Sequence, residues 1–131
     1  MSKNPAQIEP GRTATVNTAV YTGNIAGTVG SGSLDVFATP MMTALMEKAA
    51  CACLEDCLSS EQTSVGVQIN VTHTAASPIG EVITAVAVIE KVSGRKIEFT
   101  VSARDSKQEI GNGSHTRVLV NPEAFMGKLQ R

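Results

Sequence analysis

The sequence predicts an α+β domain, with an antiparallel sheet of about five strands wrapped around one long central helix. Three observations carry this. A run from Pro40 to about Leu58 has helical apolar spacing and no internal Gly or Pro after its start. Strand-like segments flank it, one before and four after. The last four are joined by short turns, which implies antiparallel neighbours.

Each element has its own signal. Residues 1–12 are polar, contain Pro5 and Pro10, and read as a flexible N-terminal arm. Residues 13–131 then form a single domain. The segment 13–21, TATVNTAVY, alternates and is rich in Thr and Val, so it reads as a strand. Residues 22–33 hold Gly23, Gly27, Gly30 and Gly32 and read as a flexible loop; the GTVGSG within it lacks the Gly-Lys-Ser/Thr ending of a phosphate loop.

Thr39 is placed to cap the helix and Pro40 suits its first position. Met42, Leu45, Met46, Ala49, Ala50, Cys53 and Cys57 make one apolar face, and Ala44, Cys51, Leu54 and Leu58 a second flank. Only Lys48, Ala52, Glu55 and Ser59 are left as a wet strip, so the helix reads as mostly buried. The later strands are Val65–Thr74, Glu81–Val92, Lys96–Ala103 and Ile110–Val120. Asn121 followed by Pro122 starts a short C-terminal helix.

Composition narrows the function. The 131 residues include 11 Lys+Arg and 12 Asp+Glu, a formal net charge of -1. Such a chain has no basic excess to hold a phosphate backbone, so no nucleic-acid partner is expected. Aromatic residues are 3% of the chain, too few for base-stacking platforms. No run approaches the roughly 18 apolar residues of a membrane span, and MSKNPAQIEPGRT has no apolar core for a signal peptide. Three cysteines without an export signal fit free thiols in the cytoplasm. Cys53 and Cys57 could share a ligand, but no second pair completes a zinc site, and core packing is expected for the cysteines.

Three polar residues are out of place. Glu47 sits mid-helix between apolar flanks; it is either a border carboxylate beside Lys48 or a desolvated base or nucleophile. His73 shares by period two the face of Val65, Val67, Ile69 and Val71, and is either a satisfied core histidine or a functional one. Thr39 is a helix cap, but its hydroxyl also lies at a positively polarised helix end. Glu47 follows two turns later, about 80° around the helix. Hydroxyl, carboxylate and imidazole could line one pocket, and that set suits acyl transfer to water. His115 has polar neighbours and reads as a surface residue. Arg117 either binds an anion or is a solvated strand residue.

The segments VFATPMMTALMEKAA, VGVQINVTHTAASPIG and VSARDSKQEIGNGSHTR resemble those of fluoroacetyl-CoA thioesterase-like proteins, within the hotdog-fold acyl-CoA thioesterases. The resemblance spans nearly the whole chain after the arm. It implies the hotdog fold, hydrolysis of an acyl-CoA thioester, and no metal or bound cofactor. The family's catalytic Thr, Glu and His match Thr39, Glu47 and His73. Gly66 matches a glycine whose backbone N–H can face the thioester oxygen, where a missing side chain allows close approach. Arg117 is the further substrate-binding candidate. The resemblance also implies a homodimer with acyl-CoA sites near the interface. One segment departs from the pattern: the fluoroacetyl-selective form carries phenylalanines in a lid loop, where this chain has Gly30-Ser31-Gly32-Ser33 and no aromatic before Phe37.

The reading is an acyl-CoA thioesterase acting on a small or short-chain acyl group. Glu47 is the nucleophile or the base for water, and His73 orients it or serves the departing thiolate. Thr39 bonds the carboxylate or the reacting group. The small residues Ala44, Ala49 and Ala50 and the Gly/Ser loop are expected to shape the pocket. The competing readings are another hotdog reaction, such as hydration of an acyl thioester, and a non-catalytic acyl-CoA-binding module.

Overall fold

The computed structural model describes residues 6–130. Five strands, β1 (Thr13–Ala19), β2 (Thr63–His73), β3 (Val82–Ser93), β4 (Lys96–Arg104) and β5 (Glu109–Val120), form one antiparallel sheet in the order β1-β3-β4-β5-β2. The single turn α1 (Ala26–Val29) lies in the loop after β1, the long helix is α2 (Thr39–Leu54), and α3 (Pro122–Gly127) ends the chain. The expected α+β architecture and strand count are those observed. The Gly-rich segment 22–33, expected as loop throughout, contains α1, which closes on Gly30 at φ 82°. That left-handed conformation suits a residue without Cβ.

The core lies between α2 and one face of the sheet. Met42, Met46, Ala49, Ala50, Cys53 and Leu54 of α2 meet Ile83, Ala85, Ala87 and Ile89 of β3 and Ile97, Phe99 and Val101 of β4, all essentially inaccessible. Alanines on both sides let the helix backbone approach the sheet closely. Period-two alternation is clean in β4, and in β3 as far as Ile89, after which the register shifts before Lys91. Gly111 of β5 belongs to the same close fit, since a Cβ there would stand 2.5 Å from the Met42 sulfur and 2.9 Å from the Thr72 carbonyl oxygen.

α2 departs from its expected form at both ends. Its N-cap is Ala38, which makes no side-chain cap bond, and Thr39 is the first helical residue. The helix ends at Leu54 rather than Leu58, because tighter bonds from Glu55 N to Ala52 O and Cys57 N to Leu54 O follow. The second apolar flank divides: Leu54 is buried, whereas Ala44 and Cys51 are exposed in the single chain along with Lys48 and Glu55. Cys53 and Cys57 pack in the interior, and all three cysteines are free thiols. Asn121 caps α3 as expected, accepting from Ala124 N at 2.9 Å.

The described part of the arm is tied to the domain. Ala6 N donates to Asp56 O, Gly11 N to Ile89 O, and Arg12 pairs with Asp56 at 2.6 Å. Residues 1–5 of the expected arm lie outside the described residues. Among the described residues, no helix is long and apolar enough to cross a membrane.

Candidate active site

β2 determines where the polar side chains go. It is an edge strand, hydrogen-bonded on one side to β5, and its register shifts between Gly66 and Gln68. Gly66 faces Arg117, Gln68 faces Thr116, and Val67 is the extra residue of a β-bulge. The bulge changes the face assignment expected from strict alternation. Ile69, Val71 and His73 lie on the helix side, opposite His115, Gly113 and Gly111. Before the bulge, the residues on that side are Ser64 and Gly66, not Val65 and Val67. Val67 is accordingly 58% exposed.

At the far end of β2, His73 Nδ1 lies 2.8 Å from the Thr39 hydroxyl. Thr39 is available for this contact because it does not cap α2. Both residues line a cavity of about 530 Å³ with Ser33, Leu34 and Phe37, a volume within the usual range for small-molecule sites. His73 Nε2 is buried and has no hydrogen-bond partner among the described residues. Burial pushes the His73 pKa below 6.5, against an opposing pull from the Ala75 backbone. The imidazole is therefore neutral at pH 7. The Gly/Ser loop forms part of this cavity as expected, but the helix alanines do not: Ala49 and Ala50 are core residues, and Ala44 lines a separate hollow beside Tyr21.

A second cluster surrounds Gly66. Glu47 Oε2 lies 3.6 Å from Arg117 Nη1. Arg117 is buried rather than solvated, and its Nε and Nη2 donate to the hydroxyl and carbonyl of Ser64 at 2.8 and 3.1 Å. A Cβ on Gly66 would stand 2.9 Å from Glu47 Oε2, 3.1 Å from Arg117 Nη1 and 3.2 Å from His115 Cε1. Glycine is what allows these three side chains to converge. His115, expected at the surface, is 2% exposed and stacks on Phe99 with ring centroids 5.9 Å apart. Its spacing of two from Arg117 was the available signal, because alternate residues of a strand share a face.

The chain thus brings Thr39 to His73, and Glu47 to Arg117 and Gly66. It does not bring Glu47 to Thr39 or His73; no hydrogen bond joins the two groups among the described residues. Nor do the described residues contain a His, Cys, Asp or Glu cluster placed to hold a metal ion.

A helix backed by a five-stranded antiparallel sheet, with polar clusters along α2 and the edge strand, is the architecture of hotdog thioesterases. A hot-dog-like protein from Thermanaerovibrio acidaminovorans shares the fold at 19% identity, with a TM-score of 0.83 over 92% of this chain and 89% of that one. The family described as fluoroacetyl-CoA-specific thioesterase matches residues 20–123, and the chain belongs to that family. A fluoroacetyl-CoA thioesterase of Streptantibioticus cattleyicolor is 40% identical over 97 residues, 74% of this chain and 70% of that protein. A threonine-to-serine variant of a fluoroacetyl-CoA thioesterase, solved in complex with acetyl-CoA, is 33% identical. It superposes with a TM-score of 0.88 over 93% of this chain and 96% of that one.

Proposed function

We propose that this chain is an acyl-CoA thioesterase that hydrolyses a small or short-chain acyl-CoA to a carboxylate and free CoA, at a site completed by a second copy of itself. The observation that carries the reading is the division of the site. Thr39 and His73 meet in the cavity, while Glu47 lies eight residues further along α2, about 12 Å of helical rise. One thioester carbonyl cannot touch both groups within a single chain.

The edge strand supplies a way to unite them. β2 offers eleven residues with one side free of partners in the sheet, and such an edge is a template for pairing. Antiparallel pairing of two copies centred on Asn70, with Val67 left out as the extra residue, sets His73 against Gly66 of the partner subunit. It also brings Glu47 of the partner subunit towards the Thr39–His73 cavity. The result is a two-fold dimer with two equivalent sites. The 41% exposure of the Glu47 side chain in the single chain fits a surface that a partner covers. Free cysteines fit a cytoplasmic setting.

In this arrangement Glu47 attacks the thioester carbonyl or removes a proton from the attacking water. Arg117, 3.6 Å from the carboxylate, limits its motion. The Thr39 hydroxyl donates to His73 Nδ1, which leaves the ring proton on Nε2. The neutral ring holds the Thr39 hydroxyl in place, and that oxygen lines the cavity where the reacting group would sit. On the base route the proton Glu47 takes from water passes to the thiolate; on the nucleophilic route the thiolate leaves a mixed anhydride on Glu47, and the water that hydrolyses it supplies the oxygen of the acid and the proton of the thiol. The Gly66 N–H donates to the developing oxyanion, a contact whose loss typically costs about a hundredfold or more in turnover.

The test is free-thiol release from acyl-CoAs of increasing size, fluoroacetyl-CoA included, with an enzyme-only blank for the three cysteines. Glu47→Ala and His73→Ala should each abolish turnover. Co-refolded one to one, they should recover about a quarter of the wild-type rate, because half the dimers are mixed and each mixed dimer has one intact site. No recovery in demonstrably mixed dimers would place the whole site in one chain. Acyl-CoA binding without turnover by the wild-type protein would instead favour the binding module.

A further inference from the structure

His115 is a buried imidazole that the mechanism above does not use, although it touches the residues that mechanism depends on. Its Nδ1 lies 2.7 Å from the Gln68 carbonyl oxygen. A carbonyl can only accept, so Nδ1 carries the ring proton. Nε2 is then a lone pair, and Arg117 Nη1 donates to it at 3.2 Å. The neighbouring bonds from Arg117 Nε and Nη2 to Ser64 fix the guanidinium on its other side. Between Ser64 and His115 the plane and direction of the fork are set, and Nη1 is left facing Glu47 Oε2.

We propose that His115 is a positioning residue for thioester hydrolysis: as the neutral Nδ1–H tautomer it holds Arg117, and through Arg117 it holds the Glu47 carboxylate beside Gly66. The activity half of this inference rests on the function proposed above. The geometric half does not.

The role requires an uncharged ring. A proton on Nε2 would replace an acceptor with a donor facing a guanidinium, and would put two cations in contact. The charged groups facing His115 are Arg117 on its own strand and Glu47 on α2; β4 contributes the uncharged Phe99 ring and β2 the Gln68 carbonyl. Burial is the main influence lowering the His115 pKa, and Arg117 lowers it further. The Gln68 hydrogen bond and Glu47 act in the opposite direction. The acceptor form therefore persists below the ordinary histidine range and is lost only in acid.

His115→Phe keeps the shape and the Phe99 stack but removes the acceptor. It should lower kcat about tenfold or more, the scale of one hydrogen bond to a charged group, with KM changed less than twofold. His115→Gln offers Arg117 an uncharged acceptor and should recover most of that kcat, with less loss of activity in acid than wild type. Nitrogen NMR of the wild-type protein should show His115 protonated on Nδ1 and bare on Nε2 at pH 7. A folded His115→Phe variant with wild-type kcat and pH profile would overturn the proposal. So would an Nε2–H tautomer, and that readout stands even where the thioesterase reading itself fails.

Discussion

Gly66→Ala tests how tightly the Glu47 cluster is built. The added methyl would stand 2.9 Å from Glu47 Oε2, where ordinary contact begins at 3.4 Å. It would also stand 3.1 Å from Arg117 Nη1 and 3.2 Å from His115 Cε1, so all three neighbours are crowded and Glu47 must yield most, by about 0.5 Å. Arg117 is the least able to do so, since Ser64 and His115 hold three of its N–H groups. Glu47 is partly exposed and sits at the end of a flexible side chain, so the carboxylate moves. A displacement of that order at a reacting group costs about ten- to a hundredfold in rate, given that about 1 Å of misplacement can cost a hundredfold. Stability should change by less than about 1 kcal/mol, because the strain is relieved at a side-chain tip and Ala is a better strand residue than Gly. Thiol release gives kcat, and thermal unfolding gives the stability control. A folded Gly66→Ala enzyme with kcat within twofold of wild type would refute this reasoning.

Two further outcomes follow from the same contacts. Thr39→Val removes the hydroxyl but makes no difference to the helix cap, which Thr39 does not supply; kcat should fall by about tenfold or more while stability moves by less than about 0.5 kcal/mol, and a loss of stability comparable to a lost N-cap would contradict it. His73, His115 and Asp105 all titrate below their ordinary values, the histidines chiefly through burial and Asp105 chiefly through the Lys107 N–H bond, with Ser77 and Gln108 adding to it. In each case the unfolded chain takes up the proton first, so stability falls as pH falls, from 6.5 downward for the histidines and from 3.8 downward for Asp105. Unfolding midpoints measured from pH 8 to pH 3 should decline throughout that acid range, and a midpoint that rose between pH 7 and pH 5 would be inconsistent with buried neutral histidines.

The features visible in the sequence are those set by local periodicity. Alternation from Val82 to Ile89 and in Lys96–Arg104 needs only the period of two, and the long helix needs only the recurrence of Met42, Leu45, Met46, Ala49, Ala50 and Cys53. What escaped sequence reading depends on contacts distant in the chain. Thr39 before Pro40 has the form of a cap, yet its hydroxyl goes to His73, 34 residues away. His115 looks polar and exposed among Asn112, Ser114 and Thr116. It is buried because Phe99, Gln68 and Arg117 close around it. The helix ends before its apolar pattern does, since Cys57 and Leu58 keep the spacing after the backbone has already tightened.

The bulge at Val67 is the least legible feature and the one on which the site depends. Strict alternation along β2 would put Val65 and Val67 on the side of His73, and Gly66 on the opposite side. Glu47 would then face valine, and no glycine backbone would lie beside it. One extra residue reverses the faces before position 67 and preserves them after it. Gly66 and His73, seven residues apart, consequently lie on the same side of the sheet although an odd spacing should separate them. The same residue adds local twist to an edge strand, the strand through which two copies are proposed to pair. Deleting Val67 leaves Gly66 opposite Arg117 and Gln68 opposite Thr116 in an unbulged ladder, and its expected result is that the Gly66–Glu47 contact and turnover are kept while the extra local twist is lost. A deletion variant that folded but lost turnover would show that facing Gly66 towards Glu47 is not enough and that the twist of the bulge is needed as well.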